Sequence, residues 1–138
     1  MRTRSIRQSI TFKASPHEVY ELLMDSGKHS KLTGDKATIS RKVGGKFTVG
    51  DYIQGRNLDL VPDQRIVQSW RFSDWPKGRF SQAVFSLEAI DGGTRLTFSQ
   101  SGVPEDNYDE IKQGWHDYYW TPMKDALDPS RKKRRAGP

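Results

Sequence analysis

The chain has 138 residues, no cysteine, 23 Lys and Arg against 17 Asp and Glu, and a formal charge of +6. That length is typical of one domain of about 100–150 residues, and the lack of thiols excludes disulfides, cysteine nucleophiles, Cys-type zinc sites and iron–sulfur clusters, so a reducing, cytoplasmic setting is expected. Five of the positive charges are Arg131, Lys132, Lys133, Arg134 and Arg135, and the 18 basic residues left nearly balance the 17 acidic ones, so the folded body gives no reason to expect specific nucleic-acid binding.

Ile6, Ile10 and Phe12 share one parity while Arg7, Ser9 and Thr11 share the other, which predicts a half-buried first strand with Gln8 as its misfit. Ser15-Pro16-His17-Glu18 then opens a helix. Ser15 suits the N-cap, Pro16 the first helical position and Glu18 the far side of a capping box. Val19, Tyr20, Leu22 and Leu23 give that helix its apolar face, and Gly27 and Gly34 punctuate a second short helix, with a break near Asp25 to Gly27. From Ala37 onward short strands are expected: Phe47–Val49, Tyr52–Val61, Arg65–Ser73, Arg79–Ile90 and Thr94–Ser101. The turn signals Gly44-Gly45, Val61-Pro62-Asp63-Gln64, Trp75-Pro76-Lys77-Gly78 and Asp91-Gly92-Gly93 punctuate them. Connections this short imply an antiparallel meander.

After Gly102-Val103-Pro104 the period lengthens. Tyr108, Ile111, Trp115, Tyr118, Tyr119, Met123 and Leu127 recur at three- and four-residue steps, which predicts a long helix with one broad apolar stripe. Pro122 lies inside it and is expected to kink it one turn above. Asp128-Pro129 ends it, so residues 1–128 are expected to form a single domain and 129–138 a basic, disordered tail. Antiparallel strands with helices on one side define an α+β fold. A long helix laid across a curved sheet leaves room for a cavity. No apolar run approaches the ~20 residues of a membrane span, so a soluble protein is expected.

The three histidines, at 17, 29 and 116, fall in no metal-binding spacing, and His116 stands out only because it neighbours the aromatic stripe. Gly44-Gly45-Lys46 lacks the rest of a phosphate loop, and no serine lies in a G-x-S-x-G elbow. Trp75 has two competing readings, as a lid folded over the sheet edge or as an exposed anchor. The aromatic stripe reads first as core. Gln68, in phase with Trp70 and Phe72, and Gln8, in phase with Ile6 and Ile10, each bring an amide to an otherwise apolar face, where it could meet an enclosed ligand or water.

Val43-Gly44-Gly45-Lys46-Phe47, Asp59-Leu60-Val61-Pro62, Ile66-Val67-Gln68-Ser69-Trp70-Arg71-Phe72, Trp75-Pro76, Gly102-Val103-Pro104 and Gly114-Trp115-His116-Asp117-Tyr118-Tyr119 form an ordered set spanning about Ile6 to Leu127. The set resembles the C-terminal domain of the activator of the Hsp-90 ATPase and, more broadly, the SRPBCC or START-like (birch-pollen-allergen-like) superfamily. The resemblance implies a helix-grip fold, in which two short helices, a curved antiparallel β-sheet and a long C-terminal helix enclose a cavity. It also implies a non-enzymatic, co-chaperone-like module with Hsp-90 as partner, no cofactor, and Arg71, Trp75, Gly102, Val103 and Pro104 as candidate contacts. The alternative it implies is a carrier or sensor of a hydrophobic small molecule, with Trp70, Phe72, Phe85, Phe98, Trp115, Tyr119 and Met123 lining the cavity and Gln68 orienting a polar end.

Overall fold

The computed structural model describes residues 2–128, so the basic run and the expected tail lie outside the described residues. Strand β1 covers Thr3–Phe12, and Ile6, Ile10 and Phe12 are buried as their parity requires. Helix α1 (Pro16–Met24) starts where Ser15 Oγ accepts the Glu18 N–H at 3.2 Å. The reciprocal half of the capping box is replaced by a side-chain bond, the Ser15 hydroxyl donating to Glu18 Oε1 at 3.3 Å. Asp25 serves both short helices: its N–H closes α1 on the Glu21 carbonyl, and its carboxylate accepts the Lys28 N–H at the start of α2 (Ser26–Thr33). Gly34, at φ 81°, ends α2 in the left-handed conformation that glycine adopts without a Cβ penalty.

Six further strands follow: β2 (Ala37–Ile39), β3 (Lys46–Val49), β4 (Ile53–Val61), β5 (Arg65–Phe72), β6 (Ser81–Ile90) and β7 (Gly93–Pro104). They form with β1 one antiparallel sheet in the order β1-β7-β6-β5-β4-β3-β2. Strand β2, which carries no sequence signal of its own, sits at the sheet edge. There Ser26 and Ser30, one helical turn apart on α2, accept the Ile39 and Ala37 N–H groups at 2.8 Å each, so the outer edge is capped. One expectation changes at β7. The strand expected to end at Ser101 runs on through Gly102-Val103-Pro104, with Val103 opposite Arg4 and Pro104 opposite Thr3.

The C-terminal helix begins as α3 (Tyr108–Trp115), widens into a π-turn over His116–Trp120 and resumes as α4 (Thr121–Leu127). The disturbance expected from Pro122 takes this form. The Thr121 N–H reaches back five residues to the His116 carbonyl, immediately before the residue that has no N–H to give. A five-residue turn shifts the helix phase. Tyr118, expected on the apolar stripe, is instead 63% exposed, while Trp120 swings under the helix and is 1% exposed.

The layer between helix and sheet is an aromatic cluster centred on Trp115. Its ring lies 4.4 Å from Phe98, 4.7 Å from Tyr119 and 5.5 Å from Trp120, centroid to centroid. Two sheet glutamines bind the two indoles: Gln100 Oε1 accepts Trp115 Nε1–H at 2.8 Å, and Gln8 Oε1 accepts Trp120 Nε1–H at 2.6 Å. The Gln8 amide also donates to the Lys112 carbonyl. The misfit of β1 is therefore a clamp on the final helix. Both indoles enter the core with their donors satisfied, as buried N–H groups require.

Candidate functional site

Where α3 lifts from the sheet, a cleft of about 340 Å³ opens between the helix and the ends of β3, β4 and β5. Ile53, Trp70 and Phe72 form its floor on the sheet side. Ile111, Gly114, Trp115, Tyr118 and Tyr119 form the helix wall, and Thr33, Asp35, Val49, Tyr52 and Glu110 complete the boundary. The volume is at the lower end of the about 300–1,000 Å³ usual for small-molecule sites.

The helix wall follows from spacing. Glu110, Gly114 and Tyr118 lie one turn apart, beside the buried Ile111, Trp115 and Tyr119. Gly114 thins this wall, since a Cβ built there would meet only Tyr118 Cδ2, at 3.8 Å, an ordinary contact. Gly114→Ala is therefore expected to stabilise the protein by about 1 kcal/mol through helix propensity, read as a higher urea midpoint. A lower midpoint would show that the wall does not tolerate even a methyl group.

Across the mouth the Tyr52 hydroxyl donates to Asp35 Oδ2. Partial burial first, and then this bond to a carboxylate, push the Tyr52 phenol up to about 12. Tyr52 also packs edge-on against Phe72, with ring centroids 5.8 Å apart.

Beneath the cleft lies a small void of about 20 Å³ bounded by Leu23, His29, Gln68 and Phe85 among others. His29, not His116, is the histidine at the site. It is 6% exposed, with Nδ1 3.1 Å from the Leu23 carbonyl and Nε2 2.9 Å from the Tyr119 hydroxyl. A carbonyl only accepts, so Nδ1 carries the proton and Tyr119 donates to Nε2. Burial holds the imidazole below its ordinary value of 6.5, outweighing the Leu23 bond, and burial raises the Tyr119 phenol.

The sign of the pH effect follows from the lowered His29 value. The unfolded chain binds the His29 proton more readily, so stability is fully present above about pH 6.5 and is lost as pH falls through the lower folded value. Wild-type protein should therefore lose urea resistance between pH 8 and 5, by at most about 1.4 kcal/mol per pH unit from this group. The His29→Gln variant should show a flatter profile over the same range. Parallel profiles for the two proteins would remove His29 as the cause.

The expected site residues divide. Trp70, Phe72, Trp115 and Tyr119 line the cleft, whereas Gln68 and Phe85 line only the void below. Phe98 and Met123 are fully buried in the packed core and border neither. The Gln68 amide donates to Asn57 Oδ1 at 3.1 Å, and Asn57 in turn donates to the Ser40 and Lys42 carbonyls. Its NH₂ group therefore ties the sheet to the β2–β3 connection.

The expected contact residues lie mostly below the surface. Trp75 is 4% exposed and stands edge-on to Trp70 at 5.6 Å, so the lid reading describes it and the exposed anchor does not. Arg71 is buried, with Nη2 donating to the Trp75 carbonyl at 2.6 Å and Nε to the Arg79 carbonyl at 3.3 Å. Val103 and Pro104 are buried by their pairing with β1, and Gly102 is half-buried. Asp35, Tyr52, Glu110 and Gly114 have no individual signal in the sequence, because only tertiary packing brings them to one opening. Among the described residues, no group of three or more His, Cys, Asp or Glu could hold a metal ion, and no helix is long and apolar enough to cross a membrane.

Residues 13–128 match the family described as "Activator of Hsp90 ATPase homolog 1-like protein". The chain belongs to that family. It is 34% identical over 118 residues to the human protein named activator of 90 kDa heat shock protein ATPase homolog 1, which covers 85% of this chain and 35% of the human one. A Dictyostelium discoideum relative named activator of 90 kDa heat shock protein ATPase homolog is 33% identical over 116 residues, covering 82% of this chain and 30% of its own. The chain thus spans about a third of the length of the curated relatives it matches. Among solved structures, an HSP90 activator from Plasmodium falciparum superposes with a TM-score of 0.83 at 22% identity, covering 89% of this chain and 95% of that one. The Aha1 dimer from Colwellia psychrerythraea gives 0.76, also at 22% identity, over 91% and 96% of the two chains. These likenesses establish the helix-grip fold expected from the sequence: a curved seven-stranded antiparallel sheet gripping a C-terminal helix.

Proposed function

We propose that this chain is a non-catalytic, co-chaperone-like module that engages Hsp90 and leaves ATP hydrolysis to the chaperone. The carrying observation is family membership together with the human relative's printed name, matched over 85% of this chain. A module of this kind acts by binding one chaperone conformation better than another, since equal affinity for both shifts nothing. Arg71 and Trp75 contribute to contact through an opening of the β5–β6 connection. That connection also buries Trp75 Nε1 and Arg79 Nε without hydrogen-bond partners among the described residues. Each unmet donor costs about 1–3 kcal/mol, which lowers the cost of rearranging this connection relative to the rest of the fold.

The test is the ATP turnover of the host's Hsp90 with and without the protein. A saturable rise, matched by co-purification, is expected. No rise and no co-purification would reject the proposal, and a Trp75→Ala variant that binds like wild type would remove Trp75 from the contact. The aromatic cleft supports a second reading, a binding site for a small apolar molecule, because about 340 Å³ stays open beside Trp70 and Trp115.

A further inference from the structure

We infer that the cleft selects an organic cation, an amine carried on an aromatic or aliphatic body, in preference to a neutral or anionic ligand. The inference rests on the small-molecule reading of this cleft and adds the charge of its occupant. The chain as a whole carries a formal charge of +6, yet no Lys, Arg or His is among the described residues that line the opening. Its two charged lining residues are Asp35 and Glu110.

The hydrogen-bonding capacity at the opening points the same way. Tyr52 donates to Asp35, Tyr119 to His29, Trp115 to Gln100 and Thr33 to backbone carbonyls, which leaves the Trp70 N–H and the Tyr118 hydroxyl as the lining side-chain donors with no bond among the described residues. The carboxylate oxygens keep free acceptor sites. Asp35 uses one oxygen for Tyr52, and Glu110 is exposed and makes no side-chain hydrogen bond or ion pair among the described residues. The rings of Tyr52, Trp70, Phe72 and Tyr118 line the same opening. Aromatic faces attract an ammonium group through their quadrupoles and disfavour an anion. An apolar body between Trp70 and Gly114 would place its amine at the acidic rim.

Three probes that share one ring system isolate the charge: 1-naphthylmethylamine, 1-naphthalenemethanol and 1-naphthoate, titrated into the full chain by calorimetry at neutral pH. The amine should bind about tenfold more tightly than the alcohol, with the carboxylate weakest. Asp35→Asn combined with Glu110→Gln should bring the amine down to the affinity of the alcohol, and Glu110→Gln alone, which breaks no side-chain bond among the described residues, should narrow the difference at an unchanged urea midpoint. Gly114→Leu, which fills the gap in the helix wall, should weaken all three.

Equal affinity for amine and alcohol would overturn the cation preference and leave an apolar binding cleft. Binding of none of the three would overturn both readings. Tighter binding of a Lys-Phe-Lys peptide, capped at both ends, than of the amine would assign the cleft to a basic protein segment and overturn a small-molecule occupant.

Discussion

Trp120→Ala is expected to destabilise the protein by about 4 kcal/mol in urea unfolding, because truncating a fully buried Trp or Phe costs about 3–5 kcal/mol. The indole is 1% exposed, stacks on Trp115 at an interplanar angle of 18° and stands edge-on to Phe98 at 5.3 Å. Its N–H also holds β1 through Gln8. A domain of this size has about 5–15 kcal/mol of stability, so the loss would leave it marginal. Trp120→Phe separates the two contributions, retaining most of the packing and removing the bond. It should cost less, with a coupling of about 0.5–1.5 kcal/mol to Gln8→Ala in a double-mutant cycle. A Trp120→Ala loss below about 2 kcal/mol would mean that Trp115, and not Trp120, fastens the helix.

The reason Trp120 is not legible in the sequence is specific. A regular α-helical period through Trp115 selects Tyr118 and Tyr119, and both were expected on the buried stripe. The π-turn ahead of Pro122 exchanges Tyr118 for Trp120. The proline is visible in the sequence, but its effect on helical phase depends on which carbonyl the freed turn recruits. Gln100 was within reach of the same parity argument that singled out Gln8 and Gln68, since it shares a face with Leu96 and Phe98.

Strands β5, β6 and β7 are legible because alternation and Gly or Pro turns agree there. The extension of β7 past Ser101 is not legible, because β1, about a hundred residues earlier in the chain, supplies the pairing that keeps the strand going through Gly102-Val103-Pro104. Trp70, Phe72, Trp115 and Tyr119 reach the cleft because they belong to its two walls. Its acidic rim is assembled from the α2–β2 connection and the first turn of α3, and nothing local to Asp35 or Glu110 announces that meeting. Phe98 is a cavity candidate by parity, but the indoles of Trp115 and Trp120 pack against its ring and close the space, and Met123 is fully buried in the core.

Gly55→Ala should be destabilising by about 3 kcal/mol, at or beyond the upper end of ordinary overpacking. Gly55 lies on the inner face of β4, opposite Trp70 on β5 and Phe47 on β3. A Cβ there would stand 1.8 Å from the Ser69 carbonyl oxygen and 2.7 Å from Phe47 Cε1. The nearer atom is backbone, so no rotamer change relieves the clash, and β4 must move away from β5. The ladder has little room to absorb that movement, because the next residue, Arg56, gives its N–H to Ser69 Oγ at 3.0 Å and the register shifts between Asn57 and Asp59.

Separating the strands would also displace Trp70 and Ile53, which form part of the cleft floor. The variant should therefore lose urea resistance and, under conditions where it remains folded, bind 1-naphthalenemethanol more weakly than wild type. Gly114→Ala provides the contrast, a glycine facing the same cleft whose substitution is expected to raise stability because its Cβ meets only an ordinary contact. If Gly55→Ala were as stable as wild type, the close approach of β4 to β5 would not be a fixed feature of the fold. The shape of the cleft floor would then have to depend on other contacts.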